Sequence, residues 1–486
     1  MMSIRHKLYK GVFWNSVSQF GSQLINFITI VILARLLDPK DFGLVGMVAV
    51  ITSFLGYFTE FGLTPTLINK KEIDEGDCNT VYWSTVFFSI VIYMLVFFCA
   101  PLVGSFYNDE RLTLITRILF INFLCSPLAF IPEVLEIKRL NYNKIAVAEL
   151  AAVLCSGIIG VLLAYSNFGV WSLVTQQILF TFFRGFILML ATGWLPKLSF
   201  SITKFKELSG FGFHFTFRNL ISYLSENIDF LLVGKLLGPA ALGIYAFSFK
   251  VAKYPIMKFY QIFGRMFFPA FASFREEKER VKRNLIRVNL GGGFLLIPLL
   301  TAIFFIIKPL ILLLVGEKWI ATVPVIQILI VYLAFTSICF ADESLLIVLG
   351  RIRMVNVIKL SATLALLSGG YLATKKYGII GMAIIFTVVS ILYDLIIKRK
   401  ALKMIDLDFI LYLKNLKIIF CMTLILSLAL GAYSFLAFKF CKLPIVFLLG
   451  GGLVLVVSMA IFVLTNNLID FKAKRVNIDR IIILDE

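Results

Sequence analysis

The chain has 486 residues, 60% of them hydrophobic and 15% charged, with a formal net charge of +19. A mean hydropathy of +0.94 excludes a soluble domain, and apolar runs recur from end to end, each of about 20 residues and so able to cross a bilayer core of about 30 Å. The composition reads as an all-α polytopic membrane protein, because a transmembrane barrel would show short alternating segments instead.

The N-terminal MMSIRHKLYKG is short and basic and runs into a long apolar stretch with no A-x-A-like cleavage site. It reads as the start of an uncleaved first helix, not as a signal peptide. About 14 transmembrane spans follow: 11–34, 42–66, 80–103, 112–133, 145–165, 168–193, 209–236, 240–264, 286–307, 322–349, 354–373, 378–397, 416–437 and 444–464.

Span 1 carries a polar stripe, Asn15, Gln19, Gln23 and Asn26, adjoined by Trp14 and Ser22. Amides beside an aromatic ring suit sugar hydroxyls and sugar faces; they equally suit hydrogen bonding between helices. Span 6 holds Arg184 deep in its apolar run. In span 7, Arg218, Glu226 and Asp229 are eight and three residues apart, within about 80° of one another on a helix. Span 8 carries Lys250 and Lys253, neighbours on one face, and Pro255 as a candidate kink. Charges this deep are costly and usually face a cavity or a partner. Arg184, Arg218, Lys250 and Lys253 read as the positive wall of a water-filled cavity for an anionic substrate, with internal ion pairing as the competing reading. Glu226 and Asp229 are candidates for coupling to H⁺ or Na⁺. Glu60, Asp342 and Glu343, toward the cytoplasmic end, are candidate gate contacts. Arg117 and Lys359 lie near span ends, where long cations snorkel.

Five cysteines lie inside apolar runs, Cys78 and Cys441 fall on opposite sides, and His6 and His214 are isolated. This is neither a disulfide framework nor a metal site. With the N-terminus cytoplasmic, inner loops and tails hold about 30 Lys and Arg and outer loops about 10, a bias that favours an even number of spans with both ends inside. The positive charge is therefore a topology signal rather than a nucleic-acid footprint.

The chain repeats itself. RLLDPKDFGLVGM (35–47) returns as KLLGPAALGIYAF (235–247), placing Pro39 and Gly43 against Pro239 and Gly243. NFGVWSLV (167–174) pairs with KYGIIGMA (376–383), and VLEIKRL (134–140) with VLGRIRM (348–354). The offsets are 200, 209 and 214 residues, in the same order in both halves. The unit is six helices, an even number, so the two copies enter the membrane in the same direction, as parallel repeats do. The expected organisation is an N-lobe, 1–205 (spans 1–6), a C-lobe, 206–400 (spans 7–12), and 401–486 with two extra helices and a cytoplasmic tail.

SENIDFLLVGKLLGPAALGIYAFSFKVAKYP, then FFPAFASF, resembles the polysaccharide transporters (Wzx-like flippases) of the multidrug/oligosaccharidyl-lipid/polysaccharide exporter superfamily. The matching residues are Asn227, Asp229, Gly234, Gly238, Gly243, Tyr245 and Pro269, and ARLLDPKDFGLVGMV is similar to that family's first turn. The resemblance implies a flippase in the bacterial cytoplasmic (inner) membrane. Its substrate would be an undecaprenyl-pyrophosphate-linked oligosaccharide for capsule, O-antigen, lipopolysaccharide, exopolysaccharide or a teichuronic-type polymer. It would act as a monomer, without a cofactor, beside a polysaccharide polymerase and other assembly proteins. It also implies a cationic central cavity, which Arg184, Arg218, Lys250 and Lys253 fit. The alternative within the superfamily is a drug/cation antiporter, which would want an anionic cavity. A membrane enzyme is disfavoured: Asp38 and Asp41 in DPKD suggest a metal pair, but the matching GPAA has no acid.

Overall fold

Helix ends along the chain are set by proline, glycine and short acidic caps. In the computed structural model, residues 4–60, 62–70, 72–273 and 277–440 are described, together with 450, 452, 469–470 and 475–476. These are helical throughout their ordered elements, apart from a two-residue antiparallel pair, Ile469–Asp470 with Arg475–Val476. The helices are α1 (Ile4–Leu36), α2 (Pro39–Glu60), α3 (Leu63–Asn69), α4 (Glu75–Tyr107), α5 (Arg111–Leu119), α6 (Ile121–Cys125), α7 (Pro127–Lys138), α8 (Tyr142–Tyr165), α9 (Val170–Thr192), α10 (Ile202–Ser273), α11 (Lys278–Leu314), α12 (Thr322–Ser337), α13 (Asp342–Val348), α14 (Ile352–Met404) and α15 (Phe409–Phe440).

Among the described residues, ten helices are long and apolar enough to cross a membrane, or eleven if the bent pair α12–α13 (44°) is one span. Two of the helices are longer than one crossing requires. α10 has 72 residues and breaks at Gly238 (φ 82°, ψ −176°). α14 has 53 and breaks at Gly378 (φ 64°, ψ −148°). Only glycine takes such angles readily, so each is two helices joined end to end. Gly169, before α9, has φ 55° and ψ −128°, close to Gly378, its partner in the second pair of matched segments. The last predicted span, 444–464, falls outside the described residues except for 450 and 452.

The chain divides into two compact units, Met1–Gly243 and Ile244–Glu486. In the first, the start of α2 explains the DPKD motif. Pro39 occupies the first turn, where its missing N–H is no loss, and Asp41 accepts a hydrogen bond from the Asp38 amide at 3.2 Å. The acids cap a helix. Asp74 and Asp77 cap α4 in the same manner, each accepting from the other's backbone N–H at 2.7 and 3.2 Å. Lys204 also bonds Asp74, which holds that carboxyl below its usual range, and Trp83 donates to the Lys197 carbonyl at 2.8 Å. The segment after α9 is thereby fastened to the start of α4.

The two copies of the repeated turn touch reciprocally. A Cβ on Gly43 would overlap the Pro239 carbonyl oxygen, and a Cβ on Gly243 would overlap that of Pro39. Each glycine thus lets the other copy's helix start pack directly on its backbone. Leu242 packs over Gly46, and the Tyr223 hydroxyl donates to the Val50 carbonyl at 2.8 Å. Span 7 opens the second repeat by sequence; by contact it packs on α2.

The second unit is built around Leu285, Ile286, Leu345, Leu346, Ala401 and Tyr412. These come from α11, α13, α14 and α15, so the helix beyond the repeat is part of the core.

Gly43→Ala and Gly243→Ala each force backbone apart and should destabilise the detergent-purified protein by about 1–3 kcal/mol. The two share one contact, so the double substitution should cost clearly less than the sum of the singles, as read by thermal unfolding.

Candidate functional site

What a helix exposes tells whether it meets lipid or water. α4 exposes Phe87, Val91, Met94, Leu95, Phe98 and Leu102 along its length, the surface a hydrocarbon solvent requires. α2 exposes no large apolar side chain, and neither does the stretch 225–253 of α10. The exposed residues of that stretch are Glu226, Lys235, Ala240 and Lys250, and those of α2 among the described side chains are Lys40 and Ser53. Over these described residues the exposed side chains are polar or small.

Lys250 is exposed and, among the described residues, forms no ion pair. Lys253, one turn on, is half-buried, its ammonium 4.9 Å from the Phe249 ring and 5.8 Å from the Phe386 ring. Glu226 is exposed whereas Asp229, three residues later, is buried; the two carboxylates that share a face by spacing sit in different surroundings. Gln19, Gln23 and Asn26 are half-buried. They lie between the lipid-type face of α1 (Phe20, Leu24, Phe27) and its packed face (Ser18, Ser22, Thr29). Trp14 is also half-buried. The side chains of Asn15, Glu60 and Arg218 fall outside the described residues.

Arg184 sits between two carboxylates, Glu133 of α7 at 2.8 Å and Glu149 of α8 at 2.8 Å. The cluster carries one negative charge overall when all three are ionised, so this arginine does not stand as a lone cation. Each of the three side chains keeps between 24% and 29% exposure, so the triad is not sealed in the core.

Asp342 is fully buried at the break between α12 and α13. Lys398 of α14 lies 2.8 Å from one of its oxygens, and the Asn289 amide of α11 donates to the other at 3.0 Å. Lys398 also donates to the Ile338 carbonyl at 2.8 Å and rests 4.0 Å above the Tyr412 ring, whose hydroxyl bonds the same carbonyl at 2.7 Å. The knot satisfies a carbonyl that the helix break leaves open. Glu343 accepts from the Tyr393 hydroxyl at 3.1 Å, and Asp394 from Thr336 at 2.6 Å.

Sequence reasoning passed over Glu133, Glu149, Asn289, Asp394 and Lys398. Glu149 was visible as an acid inside the apolar run AVAELAAV, and Asp394 and Lys398 as an i,i+4 pair at the end of span 12.

Residues 32–324 match the family described as polysaccharide biosynthesis protein. The chain belongs to that family. The resemblance read from residues 225–274 is borne out, and polysaccharide transport proteins are among the family relatives. The lipopolysaccharide biosynthesis protein WzxC of Escherichia coli K12 is 29% identical over 401 residues, 80% of each chain. The teichuronic acid biosynthesis protein TuaB of Bacillus subtilis is 24% identical, covering 72% of this chain and 73% of that one. The succinoglycan biosynthesis transport protein ExoT of Rhizobium meliloti is 25% identical, covering 66% and 65%. In fold, the chain is similar to the lipid II flippase MurJ (TM-score 0.69, 15% identity, 93% of this chain and 99% of that one). It is also similar to an inward-facing multidrug transporter of the MATE family (TM-score 0.62, 11% identity, 82% and 98%).

Within the buried knot, Asp342→Asn or Lys398→Met alone leaves an uncompensated charge and should destabilise the protein by about 3–5 kcal/mol. Asp342→Leu with Lys398→Met together should cost less than either single change, as measured by thermal unfolding.

Proposed function

We propose that this polysaccharide-family protein is a flippase. It moves an undecaprenyl-pyrophosphate-linked oligosaccharide repeat unit from the inner to the outer leaflet of the bacterial inner membrane, for surface polysaccharide assembly. The observation that carries the reading is Lys250, an exposed cation in the stretch 225–253 of α10, which exposes no large apolar side chain. A pyrophosphate and a glycan cannot cross hydrocarbon unaided. A water-lined path with a cation in it admits both while the lipid tail stays in the bilayer. An inside-negative potential favours outward movement of an anion by about 2.3 kcal/mol per charge per 100 mV.

The finer parts of the proposal follow the same reading. The protein has 14 spans in two parallel six-helix lobes with both termini cytoplasmic, and it works by alternating access. Lys250 and Lys253, with Arg218, hold the pyrophosphate, and Arg184 acts through its carboxylate partners. Gln19, Gln23 and Asn26, with Trp14 and Asn15, meet sugar hydroxyls. Glu226 and Asp229 are the proposed sites of H⁺ or Na⁺ coupling, and Glu60, Asp342 and Glu343 the proposed gate. The protein is a transporter and not an enzyme.

A strain lacking the protein should accumulate a complete undecaprenyl-linked repeat unit and lose surface polymer, as read by mass spectrometry of the lipid extract. Lys250→Ala should lower export about tenfold at unchanged protein level, the effect of losing one charge-assisted contact, with partial recovery in Lys250→Arg. Intact surface polymer in the deletion strain would contradict the proposal, and loss of drug efflux in its place would favour the antiporter. Accumulation of a truncated unit would point to an enzyme of assembly.

A further inference from the structure

The part-exposed face of α2 beside α10 combines helix packing with a polar and aromatic surface: Leu242 lies over Gly46, and Tyr223 lies against Tyr57. Gly46, Ala49, Ser53 and Tyr57 fall within about 80° of one another around the helix axis. All four are at least partly exposed, Ser53 fully so. Three are small or hydroxylated; the fourth is a tyrosine. Its ring meets that of Tyr223 on α10, with centroids 5.9 Å apart and planes at 63°. Phe54 lies 6.3 Å from Tyr223 and 5.8 Å from Phe58, behind the pair. The Tyr223 ring is held in place by its hydroxyl, which donates to the Val50 carbonyl at 2.8 Å. The Tyr57 hydroxyl takes no hydrogen-bond partner among the described residues. Glu226 is exposed one turn beyond Tyr223.

In an edge-to-face pair one ring presents its edge and not its face to the other, and both tyrosines are partly exposed. An aromatic group on a water-lined surface needs an occupant that is apolar on one side and polar around its rim. A lipid tail does not fit that description, since the same surface is otherwise small and polar and exposes no aliphatic side chain. A pyranose does. Its axial C–H bonds form a weakly positive face that stacks on the negative face of a ring, while its equatorial hydroxyls reach the rim. Tyr57 can both donate and accept there, and Ser53, which hydrogen-bonds Tyr223, keeps a further lone pair for a sugar hydroxyl.

We propose that Tyr57 and Tyr223 form a stacking platform for a sugar ring of the transported glycan, with Ser53 and the Tyr57 hydroxyl bonding its hydroxyls. The inference rests on the flippase reading and adds a sugar subsite to it. Tyr57 lies 18 residues from Pro39, about 27 Å along α2. On the proposed topology that is the cytoplasmic half, where the glycan is loaded. Phe54 and Phe58 back the platform, and Tyr223 is fixed before sugar arrives, so little ordering is left to oppose binding.

The test uses the purified full chain in detergent with two probes. One is the undecaprenyl-pyrophosphate-linked glycan extracted from the deletion strain, and the other is bare undecaprenyl pyrophosphate. Tyr57→Leu should weaken binding of the glycosylated carrier about fivefold, the loss expected for one stacked ring. It should leave the bare carrier unchanged, and Tyr57→Phe should stay within about twofold of wild type, because stacking survives. Tyr223→Leu should act in the same direction, with thermal unfolding used to separate its packing role from its contact with sugar. Equal binding of the glycosylated carrier by wild type and Tyr57→Leu would overturn the platform, as would equal weakening of both probes. If wild type binds neither probe, the flippase reading itself fails.

Discussion

Two glycines allow two helix starts to lie backbone against backbone, and the arrangement of the first unit depends on it. Gly43 accommodates the Pro239 carbonyl, and Gly243 accommodates that of Pro39. The contact is reciprocal, each proline carbonyl filling the space beside the other segment's glycine. Within a bilayer there is no hydrophobic gain from bringing helices together, so close van der Waals packing of small residues has to supply the association. The proline in each copy ends the incoming helix at the right place and the glycine clears the space. Tyr223 reaches Val50 and Leu242 reaches Gly46 because this approach has already been made.

The cost of polar groups in hydrocarbon sorts the remaining charges into two kinds. Asp342 and Lys398 are neutralised against each other and tied to a backbone carbonyl that a helix break exposes. They hold α11, α13, α14 and α15 together. Arg184 is over-compensated by Glu133 and Glu149 and keeps partial exposure. Lys250 is different: it is exposed, without an ion pair among the described residues, in a stretch, 225–253, that exposes no large apolar side chain. A lone cation is stable there only if water or a substrate anion solvates it.

Much of this was legible in the chain because it is local. The repeated turn and the apolar spans follow from residues within a few positions of one another, whereas the capping bond of Asp41 in DPKD shows only in the structure. The depth of Lys250 and Arg184 was also readable from their place in apolar runs. What was not readable is which side chain faces which across helices. Arg184 finds Glu149 35 positions away, Lys398 finds Asp342 56 positions away, and Tyr57 meets Tyr223 at 166. Periodicity assigns a residue to a face of its own helix but says nothing about the neighbour's rotation. Glu226 and Asp229 illustrate the limit: their spacing puts them on one face, and packing leaves one exposed and buries the other.

The central claim is movement of a lipid-linked glycan between leaflets, and it is tested most directly by following that movement. Purified protein would be reconstituted into vesicles carrying the undecaprenyl-pyrophosphate-linked glycan of the deletion strain. A membrane-impermeant glycosidase or lectin matched to that glycan would then report the fraction reachable from outside over time. If the protein is a flippase, the protected inner-leaflet pool becomes reachable at a rate set by the amount of protein and reduced by Lys250→Ala. A rate equal to that of protein-free vesicles, with folded protein present in the bilayer, would contradict it.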